Sequence, residues 1–131
     1  MPDPDIKAFA ESVGANDAIA DDVKLRRLFR RRNYYSLNGR FLIVKVSRIN
    51  PPFWGVGKKY IDFLNGLPDY SLVLLTTPTE GWVFSKSQIN NHINSGQWKL
   101  READGNYKIH SPLPDTNAFS IAARFLSKIA E

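Results

Sequence analysis

At 131 residues, 43% of them hydrophobic, the chain is long enough for one packed core and too short to expect two. Cysteine is absent, which excludes disulfide staples, thiolate nucleophiles and cysteine metal sites; no apolar run exceeds about four residues, so neither a signal peptide nor a membrane span is expected. The net charge of +5 hides an uneven distribution, because Val23 to Ile61 carries eleven lysines and arginines and no acid, whereas the other 92 residues hold seven bases against thirteen acids.

Asp3 followed by Pro4 reads as an N-cap with proline at the first helical position, predicting a short helix through about Val13 that Gly14 ends. Asn16 or Asp17 is expected to cap a second helix, with Asp21 and Asp22 near its positive end and Arg30, Arg31 and Arg32 near its negative end. On that helix Ala18, Leu25, Leu28 and Phe29 share the apolar face, and Arg26, Arg27, Arg30 and Arg31 point outward. Asn38-Gly39 between two β-prone runs then predicts a hairpin joining Tyr34–Leu37 to Arg40–Ile49. In its second strand Phe41, Ile43, Lys45 and Ser47 face one side, so Lys45 is a charge inside a mostly apolar strand.

The loop NPPFWG is expected to break this strand and lead into a helix from about Gly55 to Leu64, with Val56, Tyr60, Phe63, Leu64 and Leu67 as its apolar stripe. Tyr70 to Thr76 reads as a strand buried on both faces and parallel to the Lys45 strand, because a helix connects them. Gly81–Phe84 predicts another strand, the segment through Ile89 and Ile93 a short helix ending at Gly96, and Trp98–Arg101 with Tyr107–Ile109 a hairpin around Asp104-Gly105. A final amphipathic helix is expected from Asp115 or Thr116 to about residue 130, with Ala118, Ala122, Phe125, Leu126 and Ile129 on the face that covers the sheet or makes a homodimer. The predicted fold class is thus α/β, one domain with a central mixed sheet flanked by helices, its core spanning about residues 16–110.

Helix, hairpin with a lysine in its second strand, helix, then a buried strand: over residues 16–85 this order resembles the core of the PD-(D/E)xK, restriction-endonuclease-like superfamily. In active members an aspartate near one strand and the (D/E)xK triplet on the next hold Mg²⁺, and the lysine helps to position or activate the attacking water. The resemblance makes Lys45 that lysine, but the triplet is Ile43-Val44-Lys45 and no acid lies among residues 33–36, where the upstream aspartate would fall. It therefore implies an inactive relative or displaced ligands, and no metal ligand is assigned. Asp62, on the following helix, is the nearby carboxylate that such a displacement could recruit, as some members do; otherwise it is a solvated aspartate on an outer face.

Other constellations bear on the partner. Lys45 either reaches water at a strand edge or end, or contacts a polyanion. Gly55-Val56-Gly57-Lys58-Lys59 enters a helix at its positive end, where lysines are disfavoured unless an anion visits; the alternative is a tight glycine turn with solvated lysines. Phe53 and Trp54 either stack on unpaired bases or plug the core. His92 and His110 have no acid at metal-ligand spacing and read as surface or capping groups.

The leading expectation is a nucleic-acid-binding protein on a nuclease-like scaffold, with Arg26, Arg27, Arg30, Arg31, Arg40, Lys45, Arg48, Trp54, Lys58 and Lys59 as candidate contacts. One alternative is a protein-interaction module whose basic face docks an acidic partner. The other is a metal-dependent nuclease, with Lys45 and Asp62 as catalytic candidates and Mg²⁺ as cofactor; without cleavage, no cofactor is expected. A cytoplasmic protein is expected, although a nuclear-type reducing compartment fits equally well.

Overall fold

A computed structural model of the chain describes residues 3–17 and 34–130. Helix α1 (Pro4–Val13) begins as the sequence predicts: an Asp3 carboxylate oxygen accepts the amides of Asp5 (2.9 Å) and Ile6 (3.3 Å), and Gly14 closes the helix at φ 77°. Its buried residues, Ile6, Phe9, Ala10 and Val13, follow the spacing of one helical face.

Strands β2 (Tyr34–Leu37) and β3 (Arg40–Val46) form the predicted hairpin, with Asn38 and Gly39 both at positive φ, as a primed turn requires. Asn16 and Asp17 are extended. They form a two-residue strand, β1 (Asn16–Asp17), which takes up the edge of β2 opposite Ser36 and Tyr35; the remainder of the expected second helix falls outside the described residues.

Strand β5 (Tyr70–Leu75) lies parallel to β3, from Phe41 opposite Tyr70 to Val46 opposite Leu75, and every one of its residues is buried. That accounts for its nearly continuous apolar run, since a central strand in a covered sheet has no solvent face. Strand β6 (Gly81–Ser85) pairs antiparallel with β5, and β9 (Ala118–Phe119) closes the far edge, giving the order β1-β2-β3-β5-β6-β9.

Between β3 and β5 the structure departs from expectation. Residues Phe53–Gly57 form strand β4 rather than a loop and the start of a helix, and helix α2 occupies only Lys58–Leu64. Two glycines in five residues weaken a helix, whereas the alternation of Trp54 and Val56, 2% and 1% exposed, suits a strand with one buried face. β4 pairs with β8 (Asn106–His110), which pairs with β7 (Lys99–Arg101), so a second, three-stranded sheet stands against the first. Helix α3 (Lys86–Asn94) precedes this hairpin and starts in a full capping box between Ser85 and Gln88.

The C-terminal helix is also shorter than expected. Asp115–Asn117 is a 3-10 turn, β9 follows, and α4 comprises Ala122–Ile129. Buried Asn117 holds the turn in place, its amide nitrogen donating to the Val83 carbonyl (2.8 Å) and to Gln88 (3.0 Å). Phe125 and Ile129 face inward, Leu126 is 36% exposed, and Ala118 belongs to β9. Helices α1 and α4 cover one face of the large sheet over Leu42, Val44, Val73 and Val83; the small sheet, α2 and α3 cover the other over Ile43, Leu72 and Leu74. The chain is one α/β domain. Among the described residues no helix is long and apolar enough to cross a membrane.

Candidate nucleic-acid interface

Of the eleven cations in the acid-free window, Arg40, Lys45, Arg48, Lys58 and Lys59 are described; Lys24, Arg26, Arg27, Arg30, Arg31 and Arg32 lie outside the described residues. Arg40, Arg48 and Lys58 each meet an acid from elsewhere in the chain. Because β3 and β5 run parallel with Phe41 opposite Tyr70, the residues just before that pair, Arg40 and Asp69, come together in an ion pair of 2.8 Å. Arg40 also donates to the Ile129 carbonyl at the end of α4.

Arg48, two residues beyond β3, reaches the start of α1 and binds Asp3 at 2.7 Å and Asp5 at 3.1 Å. Burial pushes the Asp3 carboxyl up, but the Arg48 hydrogen bond and the amides of Ile6 and Asp5 outweigh it and hold the group below its ordinary range. The hydrogen bond to Asp3 correspondingly raises the Arg48 guanidinium.

Lys58 bonds Asp62 one turn along α2 at 2.6 Å, and that bond raises the lysine. The amide of Lys58 donates to the Gly105 carbonyl, and the adjacent cleft has Asp62 and Asp104 in its wall. The glycine-lysine entry is therefore a poorer anion grip than its sequence suggests. Lys59 is exposed, its ammonium 5.1 Å from the centre of the Tyr60 ring. Lys45 is half-buried on β3, on the same face as Phe41 and Ile43 and opposite Leu74 in β5.

Trp54 is withdrawn from the surface. Its indole packs edge-on against Trp82 and donates its N–H to the Leu75 carbonyl at 3.1 Å, so it offers no ring face to a base. Phe53, its half-buried neighbour, lies on the other side of β4 beside His110 (4.9 Å between ring centres) and below the Lys108 ammonium. His92 stacks on Trp98 and bonds Gln97.

Among the described residues the catalytic candidates are not drawn into a metal centre. Ile43, at the position of the triplet's carboxylate, is 1% exposed among Leu72, Ile61 and Tyr70. Asp62 is exposed and engaged with Lys58. Among the described residues no group of three or more histidines and acids could hold a metal ion. No family model, curated protein or solved structure matches this chain.

The structure also assembles polar groups that the sequence reading did not single out. Asp69, Ser71, Ser85, Asn117 and Lys128 meet Arg40 around one cavity. They come from separate stretches of chain, and only the parallel β3–β5 register could have revealed the first contact.

Proposed function

We propose that the protein binds nucleic acid without cutting it, on a scaffold like the PD-(D/E)xK core, gripping phosphates through residues 24–32 together with Lys59. The observation that carries this reading is charge density: residues 24–32 hold six cations and no acid in nine positions. Pairing within the fold supports it, because Arg40, Arg48 and Lys58 are answered by carboxylates and the burden shifts to the cations of that stretch. The buried Ile43 and the Lys58–Asp62 pair favour binding over cleavage, since a hard divalent ion needs oxygen ligands where an isoleucine stands.

Affinity for duplex DNA, followed by fluorescence anisotropy across a salt series, tests the reading. The logarithm of affinity should fall linearly with the logarithm of salt, by about 0.9 per phosphate contacted. A flat line overturns it. Arg30→Glu and Arg31→Glu should weaken binding whatever the base sequence. With Mg²⁺ or Mn²⁺ present, neither the parent protein nor Lys45→Ala should cut; cutting by the parent that Lys45→Ala abolishes would establish a nuclease instead.

A further inference from the structure

The sheet carries a second polar centre at the end remote from Lys45. A cavity of about 310 Å³ opens there, between the starts of β3 and β5, the end of β6, the first turn of α3 and the end of α4. Ser71 and Ser85 stand opposite each other in the antiparallel β5–β6 register, and both line it. Ser71 is the exception on its face, where its neighbours include Leu42, Val73 and Val83. It is 1% exposed, and its hydroxyl makes no hydrogen bond with another side chain or backbone group among the described residues. The hydroxyl opens on the cavity, where a ligand oxygen can receive its proton.

The surrounding hydrogen bonds say what that group must be. Several acceptors in the wall are already engaged: Asp69 and the Ile129 carbonyl by Arg40, the Gln88 oxygen by the Ser85 amide and Asn117, the Thr116 carbonyl by Lys128. Donors stand beside them: the Ser71 hydroxyl, the Ser87 amide in the first turn of α3, and further protons on Lys128 and Arg40. Two cations against one carboxylate leave the lining positive. A ligand rich in acceptors and negatively charged suits these donors and this charge.

We infer that the cavity takes the phosphate group of a phosphate monoester, with Ser71 and the α3 amide donating to its oxygens and Lys128 and Arg40 balancing its charge. The space exceeds a phosphate group and leaves room for what the ester carries. The monoester has two possible sources, a free nucleotide-sized molecule or the 5′-phosphorylated end of a nucleic acid strand. The site does not use residues 24–32 or Lys59, so a 5′-hydroxyl oligonucleotide held only by those cations would leave the cavity residues unperturbed.

Amide spectra of the full chain titrated with inorganic phosphate, adenosine 5′-monophosphate, and one oligonucleotide with either a 5′-phosphate or a 5′-hydroxyl provide the test. Saturable shifts at Ser71, Ser87 and Lys128 are expected with the phosphates and not with the 5′-hydroxyl strand. Ser71→Ala and Lys128→Met should each weaken binding by about tenfold, the scale of one hydrogen bond or charge contact to an anion. Ser71→Ala should melt no lower than the parent, because its hydroxyl has no protein partner to lose, which keeps the affinity result readable. Stronger binding of the mononucleotide than of the phosphorylated strand identifies a free ligand, and the reverse order identifies a strand end. Unsaturable shifts scattered over the surface, or undiminished phosphate affinity in Ser71→Ala, overturn the inference.

Discussion

Replacing Trp54 by phenylalanine is expected to lower stability by about 2 kcal/mol while leaving the nucleic-acid affinity of the folded protein unchanged. The indole is 2% exposed and ties the small sheet to the large one through the Leu75 carbonyl at 3.1 Å. That carbonyl also accepts the Ser47 amide at 2.9 Å, so losing the indole N–H does not orphan it, and the loss is held to the net value of one hydrogen bond, about 1 kcal/mol. The smaller ring gives up a further ~1 kcal/mol of buried surface and edge contact with Trp82. For a chain of this size each kcal/mol shifts Tm by roughly 3–5 °C, so thermal unfolding followed by circular dichroism should fall by about 6–10 °C. Anisotropy with a labelled oligonucleotide, read well below both transitions, should superimpose on the parent curve. A stacking role would cost roughly 1–3 kcal/mol of binding per base instead. An unchanged Tm with weakened binding would refute the reasoning and return Trp54 to the surface.

Gly81→Ala should be severe, because a Cβ there would stand 2.2 Å from the Leu74 carbonyl oxygen in the adjacent backbone; a loss of about 3 kcal/mol by denaturant titration is expected, and a neutral result would mean that β5 and β6 are not so closely apposed. Asp3→Ala removes both the α1 cap and the Arg48 partner and should cost about 1–2 kcal/mol, whereas Asp3→Asn keeps the cap. Since the folded Asp3 pKa lies below its unfolded value of 3.8, its contribution is complete above that pH and is lost as pH falls through the folded value. The parent should therefore lose stability more steeply in acid than Asp3→Asn, and parallel acid limbs would contradict the pairing. Burial, with the charge on Tyr107, pushes Tyr70 up to about 12, and its hydroxyl donates to Asn65 at 3.0 Å. Its neutral form is thus favoured by folding, and about 2–3 kcal/mol present below pH 10 should disappear as pH rises from 10 to 12. Tyr70→Phe should flatten that alkaline limb, as equilibrium unfolding at successive pH values would show.

Elements whose signals are local were legible in the sequence. The Asp3-Pro4 start, the Asn38-Gly39 turn, the all-buried Tyr70–Leu75 strand and the Asp104-Gly105 hairpin each depend on neighbouring residues alone, and the structure places them as expected. The misread elements are those whose state is decided by distant partners. Phe53–Gly57 is a strand because β8, some fifty residues later, pairs with it. The last helix starts late because the Asn117 amide, held in the turn before it, reaches Val83, 34 residues away. Tertiary pairing overrides local propensity in both.

Charge obeys the same rule. A stretch without acids is a statement about sequence neighbours, and the fold supplies the missing carboxylates from outside it: Asp69 comes to Arg40 through strand register, and Asp3 and Asp5 come to Arg48 across the end of β3. Exposed pairs of this kind add little to stability, but they lower the local charge that a polyanion meets. The count relevant to binding is therefore the cations left after pairing, not the eleven in the window. That distinction divides the window's bases: Arg48 fastens α1 to the end of β3, Arg40 joins a polar cavity, and the proposed contact with a polyanion is assigned to residues 24–32 and Lys59.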